Sequence, residues 1–302
     1  MDYVLLAQLL LNGVVIGLIY GLIATGLSLQ FGILHIVNFA HGEFVMVSMY
    51  ALAVLISLSA GSFPLAIGML LAAAAIVGWL AAKGFLGAVS RRSTGDSGLG
   101  KGVFEKSLLL TLGVSIVLLN GVQYVFTATP KMVATGLGYG AFALGNIRLT
   151  YGHAFAAAVA IVTFVVLFWF LMRTNAGRAL RAVAQNQEAA LMIGLDPVRV
   201  AGRAIIVSVM LSAIAGVALV PIYVFQPIIG QALLLKAFAI VIIGGMGSIS
   251  GAAIAAFGLG LLESIVGGYA NIVWQNATAF IAMILILLIK PSGLMPATLR
   301  TG

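Results

Sequence analysis

Long apolar stretches separated by short polar ones run along the whole chain. Between Asp2 and Lys83 the only formally charged residue is Glu43. Further charge-free runs cover 107–130, 149–172, 204–235, 237–262 and 264–289. A hydrocarbon core about 30 Å thick needs about 20 helical residues, whereas barrel strands would alternate over about 10 residues. The pattern therefore predicts an all-α polytopic membrane protein with about eight transmembrane helices, at 4–29, 36–59, 63–82, 107–127, 151–172, 204–225, 236–266 and 273–290.

Composition excludes a soluble or a disordered chain. Charged residues are 7% of the 302, against roughly 25% in soluble domains, and hydrophobic residues are 63%. The absence of cysteine excludes disulfide scaffolds and thiolate zinc sites. We expect one transmembrane domain over 1–302, with no bound cofactor and no metal.

Two polar islands, at 83–106 and 173–203, carry 14 of the 22 charges and ten of the fifteen bases. Two predicted spans separate them, so they lie on the same face. Their excess of Lys and Arg marks that face as cytoplasmic. Three spans precede the first island, which places the N-terminus outside. The net charge of +8 follows from this bias and does not indicate a nucleic-acid partner.

The segment 38–43 predicts an interrupted helix, because it brings polar and ionisable residues to membrane depth. Asn38 could cap a helix starting at about Phe39, with Glu43 in its first turns. A buried helix N-terminus offers free N–H groups to an anionic group of a solute. A polar loop at the membrane surface fits the same residues.

The glycine-rich segment 244–248 predicts a second interruption, in the matching position of the other half. Such pairs are typical of inverted repeats around a central pathway. Stretch 232–266 is then either a re-entrant pair of half-helices or one broken span, and the side of the C-terminus depends on which. Lys236 is expected to snorkel to the interface, and its pairing with Glu263 stays open. The predicted pathway residues are Asn38, His41, Glu43, Gly244, Gly245, Gly247 and Ser248.

The second island predicts a short helix over 187–194, outside the lipid. Asn186 can cap its start, and Gly194 can end it in the left-handed conformation. The helix is partly apolar although it is not in the membrane, which indicates docking into a groove of a partner protein.

Several of these segments resemble a known family. Glu188-Ala189-Ala190 followed by Gly194 resembles the EAA loop of permeases in ATP-binding cassette (ABC) importers. Residues 38–44 resemble the signature of branched-chain amino acid permeases of the LivH type, and 177–186 and 244–248 match that family too. The Ile-x-Leu-Pro tail that often follows the EAA loop is missing.

The resemblance implies a non-catalytic permease subunit in a bacterial inner membrane. Its implied partners are a second, similar permease subunit, two cytoplasmic ATPase subunits that hold ATP and magnesium, and a periplasmic solute-binding protein. Implied solutes are branched-chain amino acids, urea, short amides or small organic acids. The ATPase-coupling residues implied are Arg178, Arg181, Glu188, Ala189, Ala190 and Gly194.

Two other classes of function compete with this one. A single-chain secondary transporter would use buried Glu43 and Glu263 for ion or proton coupling. An intramembrane metalloenzyme is disfavoured, because His41 and Glu43 are two residues apart and do not share a helical face. Residues 95–102 nearly spell a phosphate-binding loop, but Gly102 stands where Ser or Thr should be.

Overall fold

A computed structural model describes residues 3–34, 36–90, 101–137 and 140–295. Eight of the described helices are long and apolar enough to cross a membrane, as the apolar pattern predicts. In chain order the elements are α1 (Tyr3–Leu34), α2 (His41–Leu58), α3 (Phe63–Ser90), α4 (Lys101–Phe126), β1 (Ala141–Leu144), β2 (Ile147–Thr150), α5 (Tyr151–Arg173), α6 (Asn175–Gln185), α7 (Gln187–Met192), α8 (Pro197–Leu219), α9 (Ile229–Gly244), α10 (Ile249–Tyr269) and α11 (Ile272–Ile289). The phosphate-loop-like residues 95–100 lie outside the described parts.

The main core forms where α1, α2, α8, α9 and α10 meet. Close packing of α1 against α10 depends on glycine. A Cβ atom on Gly17 would lie 2.9 Å from Phe257 Cα, and one on Gly13 would lie 2.9 Å from Leu261 Cα. Such stripes of small residues let helices approach closely in lipid, where burial alone drives no association.

Helices α9 and α10 form an antiparallel hairpin. Lys236 Nζ lies 2.8 Å from Glu263 Oε2, whereas in one straight helix these residues would be about 40 Å apart. The stretch predicted over 232–266 is therefore not one broken span, and it enters and leaves on one side. It is not a pair of half-helices either, because α10 is long enough to cross the membrane by itself. It starts earlier than predicted, at Ile229.

The turn between α9 and α10 brings several chain segments to one end of the bundle. Leu294 N donates to Ile243 O at 2.8 Å, so the chain after α11 returns to this turn. A Cβ on Gly32, near the end of α1, would lie 3.1 Å from Gly247 O. We call this end, which also carries α7, the α7 face. The described C-terminal residues thus lie on the same face as the 173–203 island.

A β-hairpin that the apolar pattern does not predict lies at the opposite end, which we call the hairpin face. Strands β1 and β2 pair antiparallel through a two-residue turn, Gly145-Asn146, whose glycine has φ +63°. The Gln8 side chain of α1 accepts from Arg148 N at 2.8 Å and donates to Arg148 O at 2.9 Å. The start of α1 is therefore fixed to this hairpin.

Candidate functional site

The first interruption lies inside the bundle. Helix α2 begins at His41, whose Nε2 is 2.8 Å from Ile23 O. Ile23 is eleven residues before the end of α1, which corresponds to about 16 Å along the helix. The start of α2 is thus at membrane depth and not in a loop at the surface.

The predicted start of α2 at about Phe39 was two residues early, and Asn38 does not cap the helix. The Oδ1 atom of Asn38 accepts from Ala40 N at 3.0 Å, and the backbone O of Asn38 accepts from His41 N at 3.1 Å. This side-chain turn uses the oxygen that a cap would need. The residue at the N-cap position is Ala40, with no side-chain cap.

His41 is fully buried and joins three helices. Its Nδ1 lies 3.2 Å from Ser208 Oγ and 3.3 Å from Ser212 Oγ, both on α8, while Nε2 faces the Ile23 carbonyl of α1. A neutral imidazole that donates from Nε2 and accepts at Nδ1 satisfies all of these contacts. The geometry supports a role in holding the break together.

Glu43 lies where the N-termini of α2 and α9 meet. It is fully buried, and its Oε1 accepts from Ser115 Oγ of α4 at 3.3 Å. A Cβ on Gly230, at the start of α9, would lie 2.4 Å from Glu43 Oε2, and one on Gly42 would lie 2.1 Å from Gly230 O. The positive ends of two helices favour a carboxylate at this position.

The second interruption forms a separate turn. It follows Gly244 at the far end of α9, and 14 residues of helix put it about 20 Å from Gly230. Gly245 and Gly247 have φ of +103° and +81°, and Ser248 Oγ accepts from Gly251 N at 3.1 Å as the cap of α10. The structure therefore does not bring the two predicted groups of pathway residues into one site.

A cavity of about 390 Å³ lies beside the first interruption. Of the predicted pathway residues, Asn38 lines it, whereas His41, Glu43 and 244–248 are not in its wall. Gln30 of α1 also lines the cavity. The sequence analysis missed Gln30, although an amide directly after the first predicted span, in the same run without charge, is a signal that could have found it.

The predicted short helix of the second island is confirmed as α7. Asn186 Oδ1 accepts from Ala189 N at 3.0 Å, and Gly194 has φ +81°. Ala190 is buried and Glu188 is exposed. The side chain of Gln187 donates to Ile33 O at 2.6 Å, which ties α7 to the last turn of α1.

The two arginines implied for coupling lie on the preceding helix, α6. Arg178 is exposed and its guanidinium contacts the Asn175 side chain. Arg181 is half-buried, and its Nε has no hydrogen-bond partner among the described residues. Both are one helix away from α7, as the resemblance implies.

A buried charge cluster joins α1, α9 and α10. Lys236 Nζ contacts Glu263 Oε2 and Tyr20 OH, each at 2.8 Å, and the Tyr20 hydroxyl donates to the same carboxylate oxygen at 3.0 Å. The expectation that Lys236 snorkels to the interface was wrong, because this buried carboxylate neutralises its charge. The described residues contain no cluster of three possible metal ligands.

Comparisons with known proteins agree with this architecture. The family model described as "Branched-chain amino acid transport system / permease component" matches residues 9–289. The chain is 30% identical over 310 residues to the high-affinity branched-chain amino acid transport system permease protein LivH of Escherichia coli K12, covering 95% of this chain and 94% of that protein. It is 31% identical over 300 residues to the corresponding protein BraD of Pseudomonas aeruginosa, covering 95% of both.

A third relative is the probable branched-chain amino acid transport permease protein LivM of Methanocaldococcus jannaschii. The two chains are 27% identical over 312 residues, covering 94% of this chain and 84% of that protein. The family match spans almost the whole chain, including both interruptions and α7. The chain therefore belongs to the family of permease components of branched-chain amino acid transport systems.

Proposed function

We propose that this chain is the membrane-spanning permease subunit of an ABC importer. It moves a branched-chain amino acid, or a related small polar solute such as urea, a short amide or a small organic acid, into the cytoplasm. ATP is hydrolysed in partner subunits, and this chain performs no chemical step. Family membership and the relatives LivH and BraD, which are named as branched-chain amino acid permeases, support the proposal.

The observation that carries the proposal is the exposed apolar side of α7. Met192, the last residue of α7, is 88% exposed, and Ile193, directly after it, is 73% exposed. This short helix belongs to no candidate span. Apolar side chains outside lipid favour burial in a groove of a partner protein. The Gln187–Ile33 hydrogen bond would carry a movement of that partner into α1.

Charge supports the orientation of the subunit in a bacterial inner membrane. Ten of the fifteen bases belong to the two islands, so the positive-inside bias assigns the α7 face to the cytoplasm. The two ATPase subunits dock there, the N-terminus is periplasmic, and a solute-binding protein approaches the hairpin face. A second, similar permease subunit completes the pathway.

Neither buried acid favours the secondary-transporter alternative. Glu263 is already paired with Lys236. Glu43 is fully buried beside two helix N-termini. Reversible ion binding would need a route from solvent to one of these carboxylates.

Reconstitution tests the proposed function directly. The chain is co-purified with its partner permease, the two ATPases and the binding protein, and uptake of radiolabelled leucine into proteoliposomes is measured with and without ATP. We expect uptake only with ATP and binding protein, and none when the ATPase subunits are left out. Uptake by the purified chain alone, driven by an ion gradient, would contradict the proposal.

A further inference from the structure

The cavity beside Asn38 has the size of a small-molecule site. Its volume of about 390 Å³ falls in the range of roughly 300–1,000 Å³ typical of ligand pockets. It lies where the end of α1 and the start of α2 meet α3, α4 and α8. Most of its wall is aliphatic or aromatic, including Leu34, Phe44, Leu80, Phe85, Leu110 and Val114.

Gln30 supplies an unused hydrogen-bond donor to this apolar wall. The residue is 1% exposed, and its Nε2 has no partner among the described residues. Leaving a buried donor unsatisfied costs about 1–3 kcal/mol, so the position favours an occupant that carries an acceptor. A purely hydrocarbon occupant, such as a lipid acyl tail, would leave this donor unpaired.

Two other polar groups line the same space. The Oδ1 atom of Asn38 is taken by Ala40 N, which leaves the amide N–H groups of Asn38 as donors. The hydroxyl of Thr111 donates to Leu108 O at 3.2 Å, which leaves its oxygen free to accept. The wall thus offers donors on one side, from α1 and the segment before α2, and an acceptor from α4.

The chemistry of the occupant follows from this set. Among the described residues, no charged side chain lines the cavity, so each charge on an occupant must be compensated by hydrogen bonds or by an opposite charge on the occupant itself. A net-neutral zwitterion can place its carboxylate on the Gln30 and Asn38 donors and its ammonium on the Thr111 oxygen. An aliphatic side chain then fills the apolar remainder.

We propose that this cavity is a binding site for an aliphatic amino acid during its passage through the permease, with Gln30 as the carboxylate-binding residue. The inference rests on the proposed function and adds to it the site and the recognition chemistry. The predicted pathway residues His41 and Glu43 then shape the start of α2 behind the site and do not contact the solute.

The test uses the full importer complex in proteoliposomes, with radiolabelled leucine and alanine as probes. Gln30→Leu removes the donor at nearly constant volume and should lower leucine uptake at least tenfold. ATPase stimulation by the binding protein should stay within twofold of wild type. Ala81→Phe fills the cavity from α3 and should reduce leucine uptake more than alanine uptake. Ala75→Phe, at an exposed position of the same helix, is the matched control and should leave both unchanged.

Photo-leucine provides a direct measurement that does not depend on the variants. Irradiation of the wild-type complex during turnover should label peptides that contain Gln30, Phe85 or Leu110, and excess leucine should remove the label. If the complex imports leucine but the label lies elsewhere, or both cavity variants transport normally, the site assignment is wrong. Labelling that excess leucine does not remove would mean non-specific insertion and would also overturn it. If the wild-type complex neither responds to the binding protein nor imports leucine, the proposed function itself is wrong.

Discussion

Replacing Lys236 by Met should leave a buried carboxylate without its cation. Glu263 has no exposed surface, and the Lys236 side chain is 16% exposed. In the wild type the ammonium contacts both the carboxylate and the Tyr20 hydroxyl at 2.8 Å. Removing one partner of a buried pair costs about 3–5 kcal/mol, because the remaining charge is not compensated. We expect Lys236→Met to lose that much of the free energy of unfolding.

The free energy of unfolding is measured by reversible unfolding in mixed micelles of a mild detergent and dodecyl sulfate, with circular dichroism as the signal. The double variant Lys236→Met/Glu263→Gln removes both charges and should recover most of the loss, since replacing a buried pair by neutral groups is often close to neutral. Lys83→Met is the control, because this exposed lysine has a cation–π contact with Trp79 at 3.7 Å. An exposed contact of this kind contributes about 0.5–1 kcal/mol.

Two results would refute the reasoning. A Lys236→Met variant as stable as Lys83→Met would show that Glu263 does not depend on the ammonium. A double variant that unfolds as readily as the single one would show that the loss comes from packing and not from charge. The double variant should also keep ATP-driven uptake, and loss of uptake in a stable double variant would return Glu263 to the list of possible coupling residues.

Three further substitutions test the interruptions and the docking helix, and a fourth serves as a control. Glu188→Lys reverses an exposed charge on α7 and should lower uptake at least tenfold while leaving the chain folded. Uptake and co-purification of the ATPase subunits are measured on the same preparation. Uptake at the wild-type rate would count against docking of α7 on the ATPase. Gly245→Leu places a side chain at φ +103°, which costs about 1–3 kcal/mol, and should abolish uptake; normal assembly with normal uptake would contradict a role of this turn. Gly42→Ala puts a Cβ 2.1 Å from Gly230 O and should destabilise the protein by about 1–3 kcal/mol. The control is Gly113→Ala on α4, where an added Cβ would contact nothing within 4 Å; this variant should instead be more stable by up to about 1 kcal/mol. If Gly42→Ala and Gly113→Ala changed the free energy of unfolding equally in the same assay, the close approach of Gly42 to Gly230 would be refuted.

Local chemistry was sufficient to predict much of the fold. Charge-free runs located the spans, because a charge inside hydrocarbon is costly wherever the helix packs. Asn186 and Gly194 predicted the ends of α7, because caps act within one turn of the chain. The segment 244–248 predicted a break for the same reason.

Contacts between distant segments could not be predicted from the sequence. Lys236 and Glu263 are 27 residues apart, and only the folded hairpin shows that they meet. Asn38 could serve either as a helix cap or in a side-chain turn, and the position of α2 against α1 decides between these. The unpartnered amide nitrogen of Gln30 becomes recognisable only when the neighbouring helices leave a cavity around the side chain. The β-hairpin was missed because its short strands lie between two long apolar segments.

The packing of α1 against α10 also sets the order in which the chain can be completed during synthesis. The glycine face of α1, with Gly13 and Gly17, is covered by residues 256–261, which leave the ribosome about 240 residues later. At about 5–20 residues per second, the first helix waits roughly 12–50 s for its partner. Throughout that interval, lipid, the insertion machinery or a neighbouring subunit must cover a surface shaped for another helix. Substitutions on this face are therefore expected to reduce the yield of inserted protein in a pulse-chase experiment, before any effect on transport is measured.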